Sequence, residues 1–264
     1  MVSIIYILYA VVVFGATALG SVAGLGGGVI IKPLLDALGF HDIGTISFIS
    51  TSAVFFMAVI STVKQLKSGY KIHIKTLLFL VPGSVAGGVY GGSLLRSVTA
   101  LISDMRVVRA VQAIMLMLLL AFSVIVINKC QKTYRLKHPL WILITGLGLG
   151  LLSSFLGIGG GPFNLAFLML LFSMDLKQCT VYSIVIILFS QFSNLFSLYM
   201  VNSFEPYDLK LLISVLPAAG LGGYLGAVVN KRISEKNVKY VFNVLVAAIF
   251  FICIYNASAV FISI

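Results

Sequence analysis

Two triplets of glycine are the residues in this chain best suited to binding chemistry. Gly26, Gly27 and Gly28 lie in the segment Gly24-Leu25-Gly26-Gly27-Gly28, and Gly159, Gly160 and Gly161 lie in Gly157-Ile158-Gly159-Gly160-Gly161. Each glycine in a helix interior costs about 1 kcal/mol relative to alanine, so a helix is expected to break at each triplet. The helix that restarts after the break has amide N–H groups without intrahelical acceptors. With the helix dipole behind them, such donors form a site for an anion. Pro162 suits the first position of the second restarted helix, where its missing N–H is no loss.

Side chains near the triplets could complete the site. Lys32 is the single basic residue in the short segment after the first triplet, and Leu165 stands at its counterpart. It can counter an anion within the membrane, or it can extend its ammonium to an interface. Ser50 and Thr51 open the following apolar segment beside Ser47 and Ser52, and Ser183 occupies the matching place in the second half with Thr180 and Tyr182. Asn164 follows the second triplet, while Gln191 and Asn194 fall mid-segment. Hydroxyls and amides donate hydrogen bonds to anion oxygens without adding charge. Serines and threonines in apolar helices also serve packing or bond back to their own backbone. Gln191 and Asn194 stand out because an amide is costly to leave unpaired in hydrocarbon.

Catalytic and metal chemistry find no such support. The acidic residues Asp36, Asp42, Asp104, Asp175, Glu205, Asp208 and Glu235 all fall in loops or at the edges of apolar segments, with Asp42 and Asp175 placed as helix N-caps. His41, His73 and His138 lie in loops without ligand spacing, and Cys130, Cys179 and Cys253 form no CxxC pair. No cofactor, metal, disulfide or catalytic set is implied, which weighs against a membrane-embedded enzyme.

The elements that carry these residues belong to a membrane. Of the 264 residues 60% are hydrophobic and 9% charged, whereas a soluble domain carries about 25% charged residues. Long apolar runs cover 4–24, 43–63, 76–95, 110–127, 140–156, 180–201, 211–229 and 240–262, each near the roughly 20 residues that cross a bilayer. Residues 1–20 lack a basic leader, so the first run is expected to act as its own insertion signal. The net charge of +11 resides in short loops, where membrane orientation explains it better than nucleic acid does.

The chain also repeats. At the offset that relates the glycine segments, Asp42 matches Asp175, Ser47 Thr180, Ser50 Ser183 and Phe56 Phe189. A second block, Pro82, Gly87, Gly88 and Gly91, recurs as Pro217, Gly222, Gly223 and Gly226, and small residues of this kind read best as helix-packing contacts. The halves are residues 1–127 and 139–264, joined by a basic linker at 128–138. The segments after the triplets, 29–38 and 162–172, reach only about half a bilayer at 1.5 Å per residue. If each forms a re-entrant hairpin with the run before it, Lys64, Lys67, Lys71, Lys75, Lys129, Lys132, Arg135, Lys137, Lys177, Lys231, Arg232, Lys236 and Lys239 share one side. Only Arg96, Arg106, Arg109 and Lys210 then face the other. Counting each pair as one crossing gives an almost even split, so the positive-inside rule favours hairpins. The expected fold is an all-α polytopic membrane protein. It has two inverted repeats, each a glycine-broken hairpin followed by three transmembrane helices, with the linker cytoplasmic and both termini outside.

These motifs resemble the sulfite exporter TauE/SafE family, whose members are also known as probable membrane transporters and toluene sulfonate uptake permeases. The resemblance rests on the two glycine segments, Pro33 and Pro162, and the doubled Pro-x4-Gly-Gly-x2-Gly block, and it covers nearly the whole chain. Val29 departs from the proline at 162, so the halves can contribute unequally. The resemblance implies transport of a small, often sulfur-containing anion such as sulfite, sulfoacetate or another sulfonate across the cytoplasmic membrane. Alternating access between the hairpin tips is the expected mechanism. A passive channel is the principal alternative, followed by a membrane enzyme or an assembly subunit. The expected partners are the solute and the lipid bilayer, with homo-oligomer formation left open.

Overall fold

The computed structural model describes residues 2–67, 73–102, 104–129, 133–200 and 207–262. Lys71, Cys130, Lys132 and Glu205 lie outside them. The described residues form ten helices and no strand: α1 (Val2–Ala23), α2 (Gly28–Leu38), α3 (Ile43–Leu66), α4 (Ile74–Leu101), α5 (Met105–Lys129), α6 (Pro139–Phe155), α7 (Pro162–Phe172), α8 (Leu176–Met200), α9 (Leu211–Arg232) and α10 (Glu235–Ile262). Seven of them are long and apolar enough to span a bilayer. The apolar run at 140–156, expected as the first arm of the second hairpin, is the 17-residue α6, about 26 Å long at 1.5 Å per residue. Large apolar side chains such as Ile4, Ile7, Leu118, Ile213 and Phe251 point outward, as a lipid-facing surface requires.

The breaks fall at the glycines, and each short helix doubles back. The Tyr9 hydroxyl in α1 lies 2.7 Å from His41 Nδ1, just past the end of α2. Tyr134 N–H and Leu136 N–H, just ahead of α6, donate to Leu170 O and Leu171 O at the end of α7 at 2.7 and 2.9 Å. Both α1–α2 and α6–α7 are therefore hairpins, with the glycine turns at their tips. Asp42 caps α3 by accepting from Thr45 N–H at 3.0 Å, and Asp175 accepts from Gln178 N–H at 2.7 Å at the start of α8. Both aspartates are N-caps, as expected.

Packing follows a two-fold relation between the halves. α4 lies along α6, and its counterpart α9 lies along α1; α3 packs on α9 as α8 packs on α4. The match holds residue by residue. A Cβ on Gly87 would overlap the Leu147 carbonyl, and one on Gly91 the Leu151 carbonyl. In the other pair, a Cβ on Gly222 would meet Phe14 O at 2.6 Å, and one on Gly226 would overlap Ala18 O. These glycines let two backbones touch, which is their packing role. Each tight pair joins one helix from each half, so neither half has a core of its own.

Candidate functional site

The two turns consist largely of left-handed backbone that glycine alone adopts without strain. Gly26 and Gly27 have φ of 82° and 71°, and Gly159 and Gly160 have 71° and 115°. Gly28 and Gly161 are helix-starting or extended, and what constrains Gly28 is space. Its Cβ would overlap the Ile158 carbonyl oxygen, and a Cβ on Gly26 would lie 3.6 Å from Gly159 O. The tips thus touch backbone to backbone. Both are buried, across 21–29 and 156–166. Among the described residues, the amides of Gly26, Gly27, Gly160 and Gly161 meet no acceptor.

Amide side chains surround the second tip. A Cβ on Gly160 would stand 3.0 Å from Asn164 Nδ2, and one on Gly159 would stand 3.4 Å from the Gln191 amide carbon. Asn164 is fully buried with both amide atoms unpartnered, and Gln191 Oε1 is likewise unpartnered. The Gln191 Nε2 donates only a long bond, 3.4 Å, to Ser190 Oγ. A buried polar group without a partner costs about 1–3 kcal/mol, so several in one place mark a site prepared for a ligand or for a second conformation.

A narrow cleft of about 60 Å³ leads toward this tip. Ser47 and Thr51 of α3, Ser154 and Gly157 of the second hairpin, and Asn194 of α8 line it. Arg96 and Gly92 of α4 and Tyr207 complete the mouth. Ser47 Oγ, Ser154 Oγ and Asn194 Oδ1 are buried without partners, as is Ser50 Oγ one residue from Thr51. Arg96 Nη2 donates to Ser93 Oγ and Ser197 Oγ, both at 2.9 Å. Tyr207 stacks on Phe48 with centroids 4.7 Å apart and planes 9° from parallel. Burial pushes the Tyr207 phenol above its ordinary pKa, with the Asp42 carboxylate adding to the rise and Arg96 opposing it. At neutral pH it stays an O–H donor.

The candidates from sequence fall into three places. Thr51 and Asn194 line the cleft; Ser50, Gln191, Asn164 and the second triplet lie at or beneath its inner end. Gly26, Gly27 and Gly28 form the opposing tip, to which Ser183 is tied by a 2.8 Å bond from its hydroxyl to Gly24 O. Lys32 stands apart. Its ammonium is 2.9 Å from Asp36 Oδ2, with the two side chains 3% and 8% exposed, and Arg109 Nε is 3.9 Å from Asp36 Oδ1. Asp36, expected at a segment edge, lies two residues before the end of α2, and its carboxylate is buried there because Lys32 one turn earlier compensates it. The Lys32 stem passes behind the second tip, 3.0 Å from where a Gly157 Cβ would be.

Arg96, Tyr207, Ser154 and Gly157 were not singled out as site residues. The apolar run that ends at 95 left Arg96 outside a span, yet α4 continues to Leu101. A signal was present, since Arg96 aligns with Lys231 at the offset of Gly91 and Gly226. Tyr207 follows no pattern that sequence could reveal.

The sulfite exporter TauE/SafE family model matches residues 9–252. A similar protein is the probable membrane transporter protein YunE of Bacillus subtilis (strain 168), 27% identical, with 89% of this chain and 92% of that protein covered. No solved structure matches the chain. With a polytopic helical fold, buried glycine hairpins and a family match over nearly its full length, the chain belongs to the sulfite exporter TauE/SafE family and is a membrane transporter rather than an enzyme.

Proposed function

We propose that the protein carries a small anion, sulfite or a related sulfur oxyanion, across the cytoplasmic membrane by alternating access around the two hairpin tips. The observation that carries this reading is the concentration of unpartnered buried donors and acceptors between Arg96 and the second tip. Arg96 would draw the anion into the mouth as a charged hydrogen-bond donor. Thr51, Ser47 and Asn194 would hand it inward to Asn164, Gln191 and the free amides of the tips.

An inverted arrangement is part of the proposal. A hairpin that returns to its side of origin, followed by three crossings, leaves the chain on the opposite side, so the second half starts inverted. In support, Lys64, Lys67, Lys231 and Arg232 converge on one surface depression, while the cleft sits at the other end of α3. The positive-inside rule then makes the lysine-rich face cytoplasmic and the cleft external. On this reading both termini lie outside and the linker inside, with the repeats at 1–127 and 139–264.

A carrier is favoured over a channel because the two tips meet backbone to backbone beneath the cleft, which leaves no open path between them. Purified protein in liposomes should take up radiolabelled sulfite with saturation and show counterflow when preloaded with unlabelled sulfite. Flux linear in concentration without counterflow would replace the carrier by a pore.

A further inference from the structure

The two halves share residues but do not share hydrogen bonds. On the lysine-rich face, Ser183 Oγ of α8 donates to Gly24 O at the first hairpin tip at 2.8 Å. Ser21 Oγ and Ser61 Oγ lie 2.9 Å apart, and both donate to Gly223 O, at 3.1 and 3.0 Å. The repeat assigns a counterpart to every one of these groups. Ser183 corresponds to Ser50 and Gly24 to Gly157; Ser21, Ser61 and Gly223 correspond to Ser154, Asn194 and Gly88. On the cleft face none of the equivalent bonds is present among the described residues. Ser50 Oγ, Ser154 Oγ and Asn194 Oδ1 are all buried and unpartnered.

Sequence does not account for the difference at Ser50 and Ser154, because their counterparts are also serines. Asn194 in place of Ser61 keeps both a donor and an acceptor. What differs is the conformation of the two halves. On one face the small hydroxyls tie the hairpin tip and its helix to the neighbouring span; on the other Ser154 and Asn194 line the cleft, and Ser50 lies buried beside Thr51 with its hydroxyl unpartnered.

We infer that these groups form two symmetry-related latches, one shut and one open in this structure, and that the protein alternates by exchanging them. When the cleft closes, Ser50 donates to Gly157 O, and Ser154 with Asn194 closes on Gly88 O. When the lysine-rich face opens, Ser183 releases Gly24 O and the Ser21–Ser61 pair parts. The number of satisfied groups is conserved in the exchange, so neither state is favoured strongly, as a two-state carrier requires. This inference rests on the alternating-access reading above and specifies which residues control it.

The test uses single reporter cysteines in a protein freed of its native ones. Leu95 lines the cleft and is partly exposed, whereas Gln65 is buried on the shut face. In Leu95→Cys the thiol should react with a membrane-impermeant maleimide, and in Gln65→Cys it should be protected. Adding Ser183→Ala should raise the labelling rate at position 65 about fivefold and lower it at 95, the equilibrium equivalent of one neutral hydrogen bond. Ser50→Ala should do the reverse. Ser183→Thr, which keeps the hydroxyl, should restore the parent pattern and so exclude a general loss of folding. Labelling unchanged by both alanine variants, in a protein whose 65 and 95 positions still exchange protection during sulfite transport, would overturn the latches and leave alternating access standing. Simultaneous labelling at both positions in the parent protein would overturn alternating access itself.

Discussion

Replacing Gly28 by alanine adds one methyl group where the two hairpin tips touch. That Cβ would overlap the Ile158 carbonyl oxygen, with the carbonyl carbon at 2.6 Å and Val54 Cγ2 at 2.8 Å. Ordinary carbon contacts lie at about 3.5–4.0 Å, so the tips must part by about 1 Å. The atoms in the way include backbone, which cannot rotate aside as a side-chain end can. Overpacking of this kind costs about 1–3 kcal/mol, of which alanine's better helix propensity returns less than about 1 kcal/mol. The expected outcome is a fall in melting temperature of about 2–8 °C, at about 2–4 °C per kcal/mol. Sulfite flux should fall at least tenfold, because about 1.4 kcal/mol of lost binding is a factor of ten. Gly15→Ala is the control: nothing lies within 4 Å of its Cβ, and it should insert, melt no lower than the parent and transport normally. Thermal unfolding in detergent and flux in liposomes, measured on both variants, decide the matter. Normal flux through Gly28→Ala would refute the claim that close tip contact builds the site.

Other outcomes follow from named contacts. Arg96→Gln should raise the KM for sulfite by about tenfold with little change in melting temperature, since charge-assisted bonds contribute about 1.5–3 kcal/mol; Arg96→Lys should recover part of the loss. Asp36→Ala strands the Lys32 ammonium and should destabilise the protein by about 3–5 kcal/mol, while Lys32→Met with Asp36→Leu should restore much of the melting temperature. Gly87→Leu drives a side chain into the Leu147 carbonyl and should prevent stable folding, read as aggregation on gel filtration. At Asp42, burial pushes the carboxyl pKa up, but the Thr45 hydroxyl and backbone bonds outweigh it and hold the group below its usual range. Its stabilisation is present above the unfolded value near 3.9 and is lost as pH falls through the lower folded value. Asp42→Asn, still a good N-cap, should therefore leave stability at neutral pH intact and flatten its decline below about pH 4.

The helices, the hairpins and the twin tips were legible because local terms dictate them. Apolar length sets the spans, the triplets Gly26–28 and Gly159–161 set the breaks, and Asp42 and Asp175 set the helix starts. The glycines at 87, 91, 222 and 226 also read correctly as packing, because their spacing alone places them on one face. Side-chain partners were less accessible. Lys32 pairs with Asp36 four residues on, a local helical relation that could have been read, but the approach of Arg109 from α5 to the same carboxylate is one that no local pattern encodes. Arg96 read as a loop residue rather than a site residue because hydropathy ends a span at the first charge, whereas the helix ends only when its backbone bonds do.

The crossed pairing of α1 with α9 and α4 with α6 bears on how the protein is made. α1 leaves the ribosome first, with a surface shaped for a helix that begins at Leu211. At about 5–20 residues per second, that surface waits about 10–40 s for its partner. During this interval the glycine-exposed carbonyls of the early helices face lipid or whatever insertion factor shields them. Biogenesis, more than the finished fold, is then the stage at which this chain is most open to misassembly.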